Sequence, residues 1–413
     1  MLLEKLLAGG RWLGRKRRGM SGGAKLGHYE LLHPLGAGGM AEVFKARAVG
    51  PAGFERNVVI KRILPAYGRD EDFVRMFTDE ARILGLVHHP NVVEAYDFGE
   101  DDGSLFLALE YVEGPSLSRI LRALRASNRR MPPAIAAFIA REICRALDCV
   151  HRLEDDNGVR LDVVHRDVTP SNIILTPWGG VKLLDFGVAK FASAARLTRE
   201  GTVKGKPAYL APEQLQGKEI DGRVDLFALG IVMHEMLSLQ HLFTGDSDLQ
   251  TAKKIMEMDI PSLTAHRSDL PEELERIVMS ALERDRDKRF ATAADMARAL
   301  DDFVVRSGLH LDDVAAFVCQ IEAVSPLARP RAPEIGDVAE KTTPSAPPEM
   351  DGEPTLKDVG SSRERARFRP SASHLAAFVG LALAALGLTT AFGLRLSTAA
   401  AAPPAATSAA ARR

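Results

Sequence analysis

Two carboxylates and a carboxamide set the strongest constraint on this chain. Asp167 and Asn172 lie in His165-Arg166-Asp167-Val168-Thr169-Pro170-Ser171-Asn172, and Asp185 opens Asp185-Phe186-Gly187. Hydrophobic runs at 173–175 and 181–184 fill the interval. Hard divalent cations take oxygen ligands, so this order suits a Mg2+ ion and a general base held close together.

Composition narrows what can surround that cluster. Across 413 residues, 54 Lys and Arg nearly balance 55 Asp and Glu, so no global basic field exists to hold nucleic acid. The three cysteines, Cys144, Cys149 and Cys319, form no CxxC pair. That excludes a cysteine-based zinc site and a disulfide framework, and fits a reducing compartment. The length allows two or three domains at about 150 residues each.

The chain divides by pattern. Residues 1–27 form a basic leader without the uninterrupted apolar core of about 7–15 residues that a signal peptide needs. Three readings stay open there: a weak amphipathic contact with anionic lipid through Leu2, Leu3, Leu6, Leu7, Trp12 and Leu13, a disordered leader, or extra residues upstream of a true start at Met20. Residues 28–305 read as an α+β unit. Its first third carries β-branched runs at 58–63, 91–96 and 105–111, read as strands, and helical spacing follows at Ile135, Phe138, Ile139, Ile143, Leu147 and Val150. A helical extension is expected over 306–324. Residues 325–370 are rich in proline and mixed charge and read as a linker that buries too little to fold.

Residues 375–394 hold no charge over about 20 positions, enough to span a hydrocarbon core of about 30 Å as a helix. Arg363, Arg365, Arg367 and Arg369 precede this span, and only Arg395 follows closely. The positive-inside rule then expects a single pass through the inner (cytoplasmic) membrane, the folded unit in the cytoplasm and the short Ala/Pro-rich tail 395–413 outside.

Further motifs are ordered around the cluster. Leu35-Gly36-Ala37-Gly38-Gly39-Met40-Ala41-Glu42-Val43 is a glycine-rich turn between two expected strands, where missing Cβ atoms let backbone N–H groups approach phosphate. Taken alone such a run is often only a hairpin turn. Lys61 ends the apolar Val58-Val59-Ile60, and Glu80 lies within the apolar pattern of the next helical stretch. A core-facing glutamate needs a cation, which Lys61 would supply. Ala211-Pro212-Glu213, Asp225 before the apolar run 226–237, and Arg289 complete the set. Each motif alone has a structural explanation as good as its functional one. The whole series, in order, does not.

In these motifs, from about residue 29 to 305, the chain resembles the eukaryotic-like Ser/Thr protein kinases of bacteria. The resemblance implies a bilobal protein kinase fold, with a small β-rich lobe and a large helical lobe. ATP would sit between them under the glycine loop 35–43. Leu35, Val43 and Val59 would form the roof over adenine and Ile174 its floor, while the segment Glu110-Tyr111-Val112-Glu113 would meet adenine through its backbone. Lys61, oriented by Glu80, would hold the α- and β-phosphates; Asn172 and Asp185 would ligate Mg2+, with Mn2+ as a substitute; Asp167 would accept the substrate hydroxyl proton. Glu213 with Arg289 would anchor the peptide-binding segment, and Asp225 would brace the catalytic loop. Pro170 resembles the Ser/Thr branch. The implied partners are protein substrates and a second copy of the chain for autophosphorylation at Ser193, Thr198 or, first of all, Thr202, a phosphate there pairing with Arg166. The alternative is a pseudokinase scaffold, against which stand the four groups needed for transfer: Lys61, Asp167, Asn172 and Asp185.

Four positions depart from the family pattern. Ala41 replaces the third loop glycine and Val59 the usual alanine over adenine. The other two form an exchange: Thr169 stands where the branch has a lysine and Lys206 where it has a threonine, which would return the ammonium to the γ-phosphate from the opposite side. At 4 Å and an effective dielectric of 20 that attraction is worth about 4 kcal/mol. The expected outcome is a marked loss of kcat in Lys206→Thr and recovery of much of it when Thr169→Lys is added. Additive effects in this four-member kinetic cycle would remove catalytic meaning from the exchange.

Overall fold

The computed structural model describes residues 24–37, 41–186, 207–265 and 267–324. Residues 1–23, Gly38, Gly39, Met40, the segment 187–206 with Ser193, Thr198, Thr202 and Lys206, His266 and everything beyond 324, the apolar run 375–394 included, lie outside them, whereas Lys25 and Leu26, expected in the leader, form a short strand with Leu26 buried. Among the described residues no helix is long and apolar enough to cross a membrane.

Six strands build the small lobe: β1 (Lys25–Leu26), β2 (Tyr29–Ala37), β3 (Ala41–Val49), β4 (Glu55–Ile63), β5 (Ala95–Asp101) and β6 (Ser104–Glu110). They form one sheet in the order β1-β2-β3-β4-β6-β5, antiparallel throughout. Alternation on β4 sets what each face does. Val58 and Ile60 turn into a small core with Ala46, Phe106 and Ala108, whereas Val59 and Lys61 face the opposite way, into the cleft. Helix α1 (Glu71–Leu86) starts on Asp70, whose carboxylate accepts the N–H groups of Asp72 and Phe73. Its buried positions, Met76, Phe77, Glu80, Ala81 and Leu84, recur at three- and four-residue steps, which places Glu80 on the inward stripe.

The large lobe contains α2 (Leu117–Ala126), α3 (Pro133–His151), the hairpin β7 (Ile173–Leu175) and β8 (Val181–Leu183), then α4 (Pro212–Leu215), α5 (Arg223–Ser238), α6 (Asp248–Glu257), α7 (Glu272–Ala281), α8 (Ala293–Arg306) and α9 (Leu311–Val324). Helix α3 buries Ile135, Phe138, Ile139, Ile143, Leu147 and Val150, the face expected from their spacing. Helix α5 is buried on every side from Val224 to Leu237, the mark of a helix running through a core. Helix α9 forms within the expected extension and buries Val314, Phe317, Val318 and Ile321.

One expected strand divides. The run 91–96 enters the small-lobe sheet only from Ala95. Ahead of it, the Val93 N–H donates to the Leu183 carbonyl at 3.0 Å, the Leu183 N–H to the Asn91 carbonyl at 2.8 Å, and the Asn91 side chain to the Val181 carbonyl at 2.8 Å. Val92 and Val93 are β-branched because they are buried against β8 of the other lobe.

Gly114 shows why the segment between the lobes ends in glycine. Its φ of +135° lies where side chains are strained, and a Cβ there would come within 2.0 Å of the Leu175 carbonyl oxygen. The chain is pressed onto β7, fixing the inter-lobe segment against the floor of the cleft.

Glu213, in α4, and Arg289 form a two-pronged pair at 2.7 and 2.8 Å with both side chains out of water. Arg289 also donates to the carbonyls of Glu283, Arg223 and Arg284 and stands 4.7 Å over the Phe227 ring. Removing one member strands a buried charge, so Arg289→Met should lower the free energy of unfolding by about 3–5 kcal/mol, read from denaturant midpoints. A change under about 1 kcal/mol, the worth of a surface pair, would contradict the burial-driven cost.

Candidate active site

The cleft between the lobes has a cavity of about 190 Å3. Leu35 of β2, Val43 of β3 and Val59 of β4 line it from the small lobe, and Ile174 of β7 and Leu184 from the large lobe. Glu110, Tyr111 and Val112 close its inner edge, and Lys61 and Asp185 supply its charged end. An apolar slot with a charged end suits a flat heterocycle carrying an anionic tail. A larger groove of about 760 Å3 opens between α3, α5 and α8, but its arginines and aspartates largely pair with one another.

At the charged end, Lys61 Nζ lies 2.6 Å from Glu80 Oε1 and 3.3 Å from Asp185 Oδ1. Burial alone would lower the lysine pKa, but the Asp185 and Glu80 carboxylates override it and hold the ammonium above the ordinary lysine range. Burial pushes the Glu80 carboxyl up, against the pull of Lys61. One ammonium thus joins β4, α1 and the second residue after β8. Asp185 has φ +42°, a left-handed backbone uncommon outside glycine, and its side chain is 40% exposed, so it stays open to the cleft.

The loop 165–172 is fixed from beneath. Asp225, 1% exposed on α5, accepts the N–H of His165 at 2.8 Å, the N–H of Arg166 at 2.7 Å and a hydrogen bond from His151 Nε2 at 2.8 Å. Burial pushes its carboxyl up, but the His151 hydrogen bond and charge with the other donors win and hold it below the ordinary range. Arg166, at φ +65°, is kept in its left-handed conformation by this clasp. On top of the loop, Asn172 Nδ2 donates to Asp167 Oδ2 at 2.6 Å and to the Asp167 carbonyl at 3.0 Å, and the Leu184 N–H donates to the Asn172 carbonyl at 2.8 Å. Asp167, Asn172 and Asp185 are thereby tied into one corner.

No group of three or more His, Cys, Asp or Glu able to hold a metal occurs among the described residues. Asp185 and the Asn172 carboxamide offer two oxygens, which fits an ion that completes its shell from phosphate and water, as Mg2+ does, and not a protein-only cage. Of the residues expected around the nucleotide, Leu35, Val43, Val59, Lys61, Glu110, Val112 and Ile174 line the cavity, Glu80 stands behind Lys61, and Gly36 and Ala41 are strand positions beside them. Ala37 ends β2. The Glu42 carboxylate turns the other way and accepts from Arg62 at 2.5 and 2.8 Å, since it alternates with Val43 along β3. Sequence reasoning missed Val93, Leu109 and Leu184 in the cavity wall, and His151 and Lys182 behind it.

His165 reports on the loop. Its Nε2 faces the Leu184 carbonyl at 3.1 Å and its Nδ1 accepts the Asp167 N–H at 3.3 Å, a pattern that assigns the neutral ring with its proton on Nε2. Burial holds its pKa below the ordinary 6.5 despite Asp225 and Asp167 nearby. Below about pH 6.5 the unfolded chain takes up this proton and the folded chain does not, so stability is full above that pH and falls as pH drops. Denaturant midpoints should decrease from pH 7 to 5, less steeply in His165→Gln. An identical slope in that variant would contradict the assignment.

A protein kinase domain model matches residues 29–300. Over 278 residues the chain is 41% identical to a protein named tyrosine-protein kinase MasK from Myxococcus xanthus, covering 67% of this chain and 43% of the relative. Over 270 residues it is 34% identical to serine/threonine-protein kinase PrkC of Bacillus subtilis, covering 65% and 39%. Over 274 residues it is 34% identical to PknB of Mycobacterium tuberculosis, covering 65% and 41%. The chain therefore spans less than half the length of these curated relatives. The crystal structure of the Mycobacterium tuberculosis PknI kinase domain superposes with a TM-score of 0.51 at 26% identity, over 69% of this chain and 99% of that domain.

Proposed function

This chain belongs to the protein kinase domain family, and from that premise we propose that it transfers the γ-phosphate of ATP to serine and threonine hydroxyls of protein substrates, itself included. The observation that carries the proposal is the single ammonium of Lys61 held between Glu80 and Asp185 at the mouth of an adenine-sized slot, with Asp167 and Asn172 tied alongside.

Adenine is gripped between Leu35, Val43 and Val59 above and Ile174 below, its edge facing the backbone of 110–112. Lys61 binds the α- and β-phosphates, and Glu80 keeps it pointed there. Asp185 and Asn172 would hold Mg2+, which when bound would neutralise charge developing on the transferring group. Asp167 orients the acceptor hydroxyl and takes its proton, and its hydrogen bond from Asn172 sets the carboxylate in place. Arg166 pairs with a phosphate on Thr202, Thr198 or Ser193, added by a second copy of the chain. Residues 375–394 anchor the protein in the cytoplasmic membrane with the kinase domain inside, a reading supported by the four arginines at 363–369.

A second reading concerns the acceptor. The 41% identical relative is named a tyrosine kinase, and Thr169 here stands where the Ser/Thr branch has lysine, which favours tyrosine as an additional acceptor. Incubation of the full chain with labelled ATP and Mg2+, followed by phosphoamino-acid analysis, separates the two. Label on serine and threonine is expected, and label on tyrosine alone would overturn the acceptor assignment. Asp167→Asn should slow transfer by at least about a hundredfold. Lys61→Met should be equally impaired but regain some activity at excess Mg2+, whereas Asp185→Ala should not. Equal label in wild type and Asp167→Asn, or none in either, would favour a pseudokinase.

A further inference from the structure

Lys182 is the middle residue of β8, three positions ahead of Asp185. Its Nζ donates to Glu110 Oε2 at 2.7 Å and to the Val92 carbonyl at 3.3 Å. The same carboxylate of Glu110 accepts the Glu94 N–H at 3.3 Å, and the Glu110 N–H returns to the Glu94 carbonyl at 2.8 Å. One ammonium therefore meets β8, the segment 91–94 and the last residue of β6. The Lys182 and Glu110 side chains are 18% and 24% exposed, so the pair is screened less than a surface bridge.

The consequence lies one step further along each chain segment. Beyond Glu110 come Tyr111 and Val112, and beyond Lys182 come Leu184 and Asp185; both pairs line the cleft, whereas Lys182 itself does not. We propose that Lys182 is a positioning residue for the nucleotide: by tying Glu110 to β8 it sets the offset between the adenine-facing backbone at 110–112 and the Asp185 carboxylate. This rests on the nucleotide-binding reading given above. An adenine and a phosphate tail are joined covalently, so both ends must be matched at once. Releasing Glu110 lets its carboxylate move toward water and carries the 110–112 backbone with it. Binding of ATP then weakens, while the groups around Asp167 keep their geometry.

The test uses the full chain as wild type, Lys182→Met, Lys182→Arg, Glu110→Gln and the Lys182→Met/Glu110→Gln double variant. ATP affinity is measured directly by displacement of a fluorescent ATP analogue, beside steady-state kinetics. Lys182→Met should raise Kd and KM for ATP about fivefold with kcat within about twofold, and Lys182→Arg, whose longer cation reaches the same carboxylate, should recover most of the affinity. Glu110→Gln should weaken ATP similarly, and the double variant should be little worse than either single change. Unchanged ATP affinity in Lys182→Met, with or without lost thermal stability, would overturn the proposal, as would a fall confined to kcat. If Lys182→Met does not fold, the Glu110→Gln values decide by the same criterion. A wild type that binds no ATP analogue would instead defeat the nucleotide reading itself.

Discussion

A carboxylate that never meets solvent holds the chemistry in place. Asp225 enters the large lobe on the first turn of α5, a helix walled in on all sides, and spends its oxygens on two loop amides and one imidazole. A buried charge is tolerated only when its hydrogen bonds are complete, so the fold cannot keep Asp225 without also keeping the loop in this shape. The left-handed backbone at Arg166 follows from that clasp, and it sends the next residue, Asp167, toward Asn172. The geometry of the Asp167–Asn172 corner is thus a by-product of satisfying one anion.

The cleft applies the same logic to a cation. Lys61 is shared by two carboxylates that come from distant stretches, Glu80 from α1 and Asp185 from beyond β8. Two anions around one ammonium leave a surplus of negative charge at the mouth, which a divalent ion bound beside Asp185 would balance. The apolar remainder of the slot, from Leu35 and Val43 to Ile174, has little polarity of its own, so the backbone at 110–112 must supply the hydrogen bonds that orient a base.

Much of this was legible in the chain because period and order carry it. The alternation of Val58, Val59, Ile60 and Lys61 sorts core from cleft, and Glu80 within an apolar helical stripe asks for a cation that only Lys61 is placed to give. The spacing along α3 was equally readable, whereas the pair of Glu213 with Arg289 was expected only from the family resemblance. What escaped depends on partners remote in sequence. Val92 and Val93 look like the start of β5, but Val93 and the preceding Asn91 hydrogen-bond β8, some 90 positions later, with Val92 bridged between them. His151 ends a helix in a way no pattern marks, and only folding brings it to Asp225. Glu42 lies inside the glycine-rich motif, yet strand register hands it to Arg62.

That misplaced pair of valines has a mechanical meaning. Residues 91–93 sit between two small-lobe elements in sequence, but they are bonded to β8, so they travel with the large lobe. Any rocking of the lobes must then flex at 87–90, at 93–95 and at 110–114, where the chain crosses. Lys61 and Glu80 lie ahead of the first crossing, in the small lobe, and Asp185 lies beyond the last, in the large one. Opening the cleft therefore lengthens the 3.3 Å contact of Lys61 with Asp185 and spares its 2.6 Å contact with Glu80. The lysine acts as a gauge of closure, with one carboxylate as its fixed end and the other as its moving mark.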